Sequence, residues 1–263
     1  MYLFVLINVK PFHFSLYNIG LYGIYYSKHA IIFFIKRSNE MKRFAAVTGL
    51  LVLFPLVISC SSLRSMDGMS LDGFTSLFDG KTLDGWRKLT EYSGDDGKWD
   101  VVDGVIAGDQ YPEGKGGLLV TEKTYKDIEV YAEVKADYPI DSGIFLRVQG
   151  DVLSYQVTID YRPEGEVGAI YSPLGGGFLV HKPEGEKLWK KGEYNSVRAR
   201  IEGQPPHIKV WINGAEVVDY TDTKVDGKDR VPGTGFLGIQ VHPGESWGKG
   251  NKVYFRRILV KEL

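Results

Sequence analysis

From Phe74 onward, apolar and polar residues alternate at period two through most of the chain, the pattern of β-strands with one buried face. Strands are expected at 99–107, 118–121, 127–136, 143–149, 154–161, 168–171, 196–202, 207–212, 215–221, 235–242 and 252–261. No stretch carries a long amphipathic helical pattern, and 186–193 supports one turn at most. Turn pairs punctuate the strands: Asp79-Gly80, Asp84-Gly85, Asp103-Gly104, Glu202-Gly203, Asn213-Gly214 and Asp226-Gly227. Asn213-Gly214 marks the clearest hairpin, and a total of 32 glycines suits a many-turned chain. There is no internal repeat. Short strands at regular spacing predict an all-β protein folded as a two-sheet β-sandwich.

The pattern changes before Phe74. Met41-Lys42-Arg43 followed by the apolar run 44–58 is a basic start and a hydrophobic core too short for a membrane span. It ends at Val57-Ile58-Ser59-Cys60, which resembles a bacterial lipoprotein cleavage box, and Cys60 is the only cysteine in the chain. Residues 41–60 therefore read as a lipoprotein signal peptide with lipid attachment at Cys60, on a protein of the bacterial envelope facing the periplasm. Residues 1–40 are rich in Tyr, Phe, Ile, Asn and Lys without period and read as upstream non-coding sequence translated ahead of Met41. Residues 61–72 are small and polar and read as a tether, leaving 73–263 as one domain. A net charge of −1 with no basic cluster argues against nucleic acid, and membrane contact is expected through the lipid alone. A lone cysteine leaves no internal disulfide, so packing must hold the fold.

Candidate chemistry comes from the faces the strands do not bury. In 143–149, Ile144, Leu146 and Val148 point to the core and Phe145 and Arg147 away from it. In 154–161, Tyr155, Val157 and Ile159 point inward and Gln156, Thr158 and Asp160 outward. In 127–136, Glu129, Tyr131, Glu133 and Lys135 are opposite the core face, and in 235–242 Gln240 and His242 are. An aromatic ring, a guanidinium, amides and carboxylates together suit a sugar: a ring to stack on and planar polar groups to grip hydroxyls. If these strands share one sheet, Glu133, Arg147, Gln156, Asp160, Gln240 and His242 converge. The irregular loop 163–191, which holds His181, follows the strand that carries Asp160 and would wall one side.

The opening run from Gly73 to Trp86, the Ser142-Gly143-Ile144-Phe145-Leu146-Arg147 motif, Val210-Trp211-Ile212-Asn213-Gly214 and Phe255-Arg256-Arg257-Ile258-Leu259-Val260 resemble the 3-keto-disaccharide hydrolase domain family over about 74–263. The resemblance implies a concanavalin-like jelly roll. It also implies that Glu133, Arg147, Gln156, Asp160 and the pair Gln240 and His242 carry the site, with an oligosaccharide or glycoside as substrate. One departure stands out: the family's Tyr-Glu-Val-Gln is Tyr155-Gln156-Val157-Thr158 here.

The chemistry so implied is elimination. A 3-keto group acidifies the C2 proton, a base removes it, the C1 glycosidic oxygen leaves, and water re-adds. His242 or Glu133 is the expected base, Arg147 the oxyanion stabiliser, and Asp160 and Gln156 the hydroxyl anchors, with Phe145, Gln240 and His181 also against substrate. No cofactor is called for, although a divalent cation could assist Arg147. Two rivals remain at this point. One is a carbohydrate-binding module without catalysis. The other is a two-carboxylate glycosidase built on Glu129 and Glu133, which lie roughly 13 Å apart along a straight strand.

Overall fold

The computed structural model describes residues 24–27, 30–33, 64–91, 97–111, 114–150, 155–173, 176–182, 184–223, 232–244 and 250–263. The signal segment and Cys60 lie outside the described residues. The chain divides into two compact units, 1–58 and 59–263. Within the first, β1 (Ile24–Ser27) pairs antiparallel with β2 (Ala30–Phe33).

Among the described residues the second unit holds fifteen strands: β3 (Thr75–Ser76), β4 (Trp86–Lys88), β5 (Lys98–Val102), β6 (Val105–Asp109), β7 (Gly117–Tyr125), β8 (Ile128–Ala136), β9 (Ile140–Val148), β10 (Tyr155–Tyr161), β11 (Val167–Ser172), β12 (Gly177–Val180), β13 (Asn195–Glu202), β14 (His207–Ile212), β15 (Ala215–Thr221), β16 (Gly235–Val241) and β17 (Lys252–Glu262). A 3-10 turn at Gly185–Leu188 stands where 186–193 suggested a helical turn. The strands form two antiparallel sheets. The front sheet runs β12-β11-β10-β9-β16-β7-β4, and the back sheet β15-β14-β13-β8-β17-β6-β5 with β3 also on β17. This is the jelly-roll sandwich the sequence predicts.

The alternation explains the core. Ile144, Leu146, Val157, Ile159, Leu237, Ile239 and Val241 of the front sheet meet Val130, Ala132, Val134, Val197, Ala199, Ile201, Val210 and Phe255 of the back sheet, all buried. Asn213 (φ 50°) and Gly214 (φ 84°) both take the left-handed conformation that a tight two-residue turn between β14 and β15 requires. The expected strand 99–107 is two strands, because Asp103 (φ 50°) and Gly104 (φ 79°) fold it back on itself as the β5–β6 hairpin.

Two expectations about faces change. On β9, Arg147 has φ 57°, and the three residue steps from Phe145 to Val148 oppose only two on β16, from Gly238 to Phe236. This extra residue is a bulge, and it reverses the alternation behind it. Val148 consequently joins Phe145, Leu89, Leu118 and Val120 in an apolar cluster on the outer face instead of the core. Arg147, expected to face outward, ties the sheets together: Nε donates to the Lys126 carbonyl (3.0 Å), and Nη2 to Asp127 Oδ1 (3.0 Å) and the Gly203 carbonyl (3.2 Å). Those partners flank β8 and β13, strands of the back sheet.

The polar stretch read as a tether packs from Arg64 onward on the outer face of the back sheet. Leu71 is buried with Tyr131 and Leu259, the Met66 amide donates to Tyr131 Oη (3.0 Å), and Ser196 Oγ donates to Asp67 Oδ2 (2.8 Å).

Arg147→Met removes a buried guanidinium and leaves two carbonyls and Asp127 without its donors. Chemical denaturation is expected to show a loss of about 3 kcal/mol. Arg147→Lys should recover only part of it, since one ammonium cannot reach all three acceptors in the fork geometry.

Candidate active site

The outer face of the front sheet is divided. One half is the apolar cluster of Leu89, Leu118, Val120, Phe145 and Val148, against which Phe236 packs. The other half is polar, because β9 and β10 pair in a register that sets Asp141 opposite Asp160, Gly143 opposite Thr158 and Phe145 opposite Gln156. Gln156 in turn lies opposite Tyr171 on β11. Gly143 is needed for its lack of a side chain: a Cβ there would meet Gln156 Nε2 at 2.5 Å and Cγ at 2.7 Å. The Gln156 amide occupies that space. Its Nε2 donates to Gln240 Oε1 (2.8 Å) and to the Ser142 carbonyl (3.3 Å).

These residues line a pocket of about 180 Å³ with walls of Asp141, Gln156, Thr158, Asp160, Arg162, Tyr171, Phe178 and His242. Thr158 Oγ1 donates to the Glu166 carbonyl (2.6 Å) and accepts from the Ala169 amide (3.1 Å), which fixes the floor. Arg162 clamps Asp160 with two bonds, Nε to Oδ1 at 2.5 Å and Nη2 to Oδ2 at 2.7 Å. The His242 turn is held from both sides. Its amide donates to the Asp141 carbonyl (3.2 Å), and Gln110 Nε2 donates to the carbonyls of His242 and Gly244, the latter at 2.8 Å.

The imidazole is oriented by its neighbour. His242 Nδ1 is 2.7 Å from the Pro243 carbonyl, which can only accept, so Nδ1 carries the proton and Nε2 presents its lone pair. Nε2 lies 3.8 Å from Asp141 Oδ2. Burial lowers the His242 pKa, with Arg162 acting in the same direction, so the ring is neutral near neutral pH. Asp141 moves the other way. Burial, and then the charge of Asp160 across the ladder, push its carboxyl up to about 8. The pocket thus sets a neutral imidazole beside a carboxyl that still holds its proton. Among the described residues no group of three or more His, Cys, Asp or Glu side chains is arranged to hold a metal ion.

Of the residues expected from sequence, Gln156, Asp160, Gln240 and His242 come together here. His181 stands just beyond, stacked on Phe178 with ring centroids 4.7 Å apart. Phe145 is buried in the apolar half and offers no ring to a ligand. Arg147 is between the sheets. Glu133 lies on the opposite, back sheet, where it accepts from Arg256 Nε (2.7 Å), Arg257 Nη1 (2.7 Å) and Tyr131 Oη (3.1 Å). Glu129 shares that face and is paired with Arg198 at 2.5 Å. Neither carboxylate reaches the pocket, because β8 lies in the back sheet and β9, β10 and β16 in the front.

The sequence reading missed Asp141, Thr158, Arg162, Tyr171 and Phe178 as site residues. Asp141 had a signal: it stands two positions before Gly143 and four before Phe145, on the same face of a strand that begins earlier than expected, at Ile140.

Residues 73–261 match the 3-keto-alpha-glucoside-1,2-lyase-like domain. The chain belongs to this family. A "3-keto-disaccharide hydrolase" of Bacteroides thetaiotaomicron is 27% identical over 251 residues, covering 75% of this chain and 82% of that protein. Two solved structures of candidate glycosyl hydrolases from Parabacteroides distasonis share the fold. One has a TM-score of 0.52 at 25% identity, covering 72% of this chain and 99% of that one. The other has a TM-score of 0.51 at 23% identity, covering 73% and 94%. The family is carbohydrate-active, and its domain contains the whole of the pocket.

The raised carboxyl has a consequence for stability. Folded Asp141 keeps its proton up to about 8, whereas an ordinary Asp releases it near 3.8. The unfolded chain therefore binds fewer protons between those values, and stability falls as pH rises through that window. Asp141→Asn abolishes the effect. Thermal melts should show the variant gaining on the parent from pH 4 to pH 8 and holding a constant gap above; a gap independent of pH would refute the assignment.

Proposed function

We propose that this chain is an enzyme that cleaves 3-keto-glycosides by proton abstraction at C2 and elimination at C1, with His242 as base and Asp141 as acid. The observation that carries the reading is the pairing of His242 Nε2 with Asp141 Oδ2 at 3.8 Å in the pocket of the front sheet. The C2 proton and the C1 oxygen are on adjacent ring carbons. A base and an acid this close can serve both groups from one side of the ring.

The steps balance with groups in the pocket. Nε2 takes the C2 proton, which the 3-keto group has acidified, and the electrons move to the C3 oxygen as an enolate. Arg162 carries positive charge beside the pocket and stabilises that oxyanion, the role the sequence reading gave to Arg147. Collapse of the enolate breaks the C1–O bond, and Asp141 gives its proton to the departing oxygen. Water then adds across the C1–C2 double bond, hydroxyl at C1 and proton at C2, to release the 3-keto sugar. The Gln156 and Gln240 amides, fixed against each other, hold ring hydroxyls.

A two-carboxylate glycosidase on Glu129 and Glu133 finds no support, since both are neutralised by arginines on the far sheet. A binding module without turnover is the reading to separate by experiment. Aglycone release from a nitrophenyl 3-keto-glucoside is expected, with none from the unoxidised glucoside. His242→Gln should lower kcat on the order of 10²–10⁴-fold. The rate should rise as His242 loses its proton below the ordinary imidazole value of 6.5 and fall as Asp141 loses its own near pH 8. Asp141→Asn should erase the alkaline limb. Equal release from both glucosides, or from neither, would sink the proposal.

A further inference from the structure

A pocket of about 180 Å³ takes one sugar ring, so the leaving group of a disaccharide must lie beyond it. At the mouth stands Phe178, the most exposed residue of the lining, with 39% of its surface in solvent. The ring stands at the rim of a polar pocket with part of its surface open to a ligand. Its orientation, however, is tightly set. Tyr171 meets it edge-on at 5.2 Å and 75°, and His181 stacks on one face at 4.7 Å and 28°.

The support reaches back to the pocket floor through one residue. The Glu166 side chain, mostly buried, contacts His181 Nδ1 at 2.8 Å through Oε1 and accepts the Lys182 amide through Oε2. The Glu166 carbonyl accepts from Thr158 Oγ1, which lines the pocket. Glu166 thus fixes both the floor and the ring stacked behind Phe178. Strand β12, at the edge of the front sheet, places the ring beside Tyr171.

We propose that Phe178, backed by His181 and Tyr171, is the specificity-determining platform for a ring-shaped leaving group, taking the apolar face of the second pyranose of a 3-keto-disaccharide. The inference rests on the glycoside-cleaving reading above and adds to it the class of substrate: a glycoside whose aglycone is a ring rather than a small alkyl group. An aryl aglycone presents the same flat apolar face and would use the same platform. Aromatic stacking of this kind is worth about one decade in affinity.

The test uses the full chain and four probes with glucose oxidised at C3: the 3-keto derivatives of maltose and cellobiose, phenyl 3-keto-glucoside, and methyl 3-keto-glucoside. Phe178→Ala is expected to lower the ratio of kcat/KM for disaccharide over methyl glycoside about tenfold, chiefly through KM, and Phe178→Tyr to restore it. His181→Ala should lower the same ratio by a smaller factor. A drop for disaccharide alone identifies a sugar platform, and an equal drop for the phenyl glycoside identifies a general ring platform. An unchanged ratio overturns the proposal. If the parent chain turns over none of the probes, the elimination reading fails, and the platform is judged by binding. Saturation-transfer NMR with unoxidised maltose and cellobiose should then show contacts to the second ring that Phe178→Ala removes; contacts that persist, or none in the parent, overturn it.

Discussion

The register of β9 against β10 is settled by the core before any chemistry enters. Ile144 opposite Val157 and Leu146 opposite Tyr155 must face the back sheet, and Ser142 and Ile159 follow on the same side. A slip of one residue would turn every one of them outward and drive Asp141 and Asp160 into the hydrocarbon between the sheets. Holding the apolar set inward therefore forces the two aspartates into direct opposition on the outer face. That face is also enclosed, by Tyr171, Phe178 and the His242 turn.

Two carboxylates brought together away from water do not both ionise at neutral pH. The ladder makes them neighbours, and Arg162 pairs with Asp160. The guanidinium makes two bonds to Asp160, and Asp141 is raised first by its burial and then by the charge of Asp160 across the ladder. Their division of labour comes from environment, since the residues are chemically identical. The same guanidinium lowers the pKa of His242. Burial acts first on both groups assigned to proton transfer, raising Asp141 and lowering His242, and Arg162 adds a smaller downward push to each.

What could be read from the sequence follows from this distinction between local and long-range constraints. Alternation and turn chemistry are local, so β14, β15 and the Asn213-Gly214 turn between them were legible to the residue, as was the outward set Gln156, Thr158 and Asp160. Strands of two to four residues, β3, β4 and β12, are too short to show a period and were missed. That cost Phe178 its place among the expected site residues. Sheet membership is not local at all. Glu133 has the right face of the right kind of strand and sits on the wrong sheet, where two arginines pair with it and a tyrosine donates a hydrogen bond. A left-handed non-glycine residue gives no warning either, so the bulge at Arg147 took Val148 out of the expected core and Arg147 out of the expected site.

Gln156 gains meaning from the same electrostatics. A carboxylate at this position would line the same pocket as Asp160 and Asp141, adding a third negative charge to it. It would raise Asp141 further and favour a positive partner, a cation or a second arginine, to balance it. An amide avoids that demand. Its Nε2 donates to Gln240 Oε1, so the two amides orient one another without any net charge. The pocket can then run on a neutral imidazole, one protonated carboxyl and one arginine–carboxylate pair. On this argument the amide at 156 is compatible with catalysis, because what elimination needs from that position is a hydrogen-bonding group of fixed orientation, and the charges that move the protons are supplied by Asp141, Asp160, Arg162 and His242.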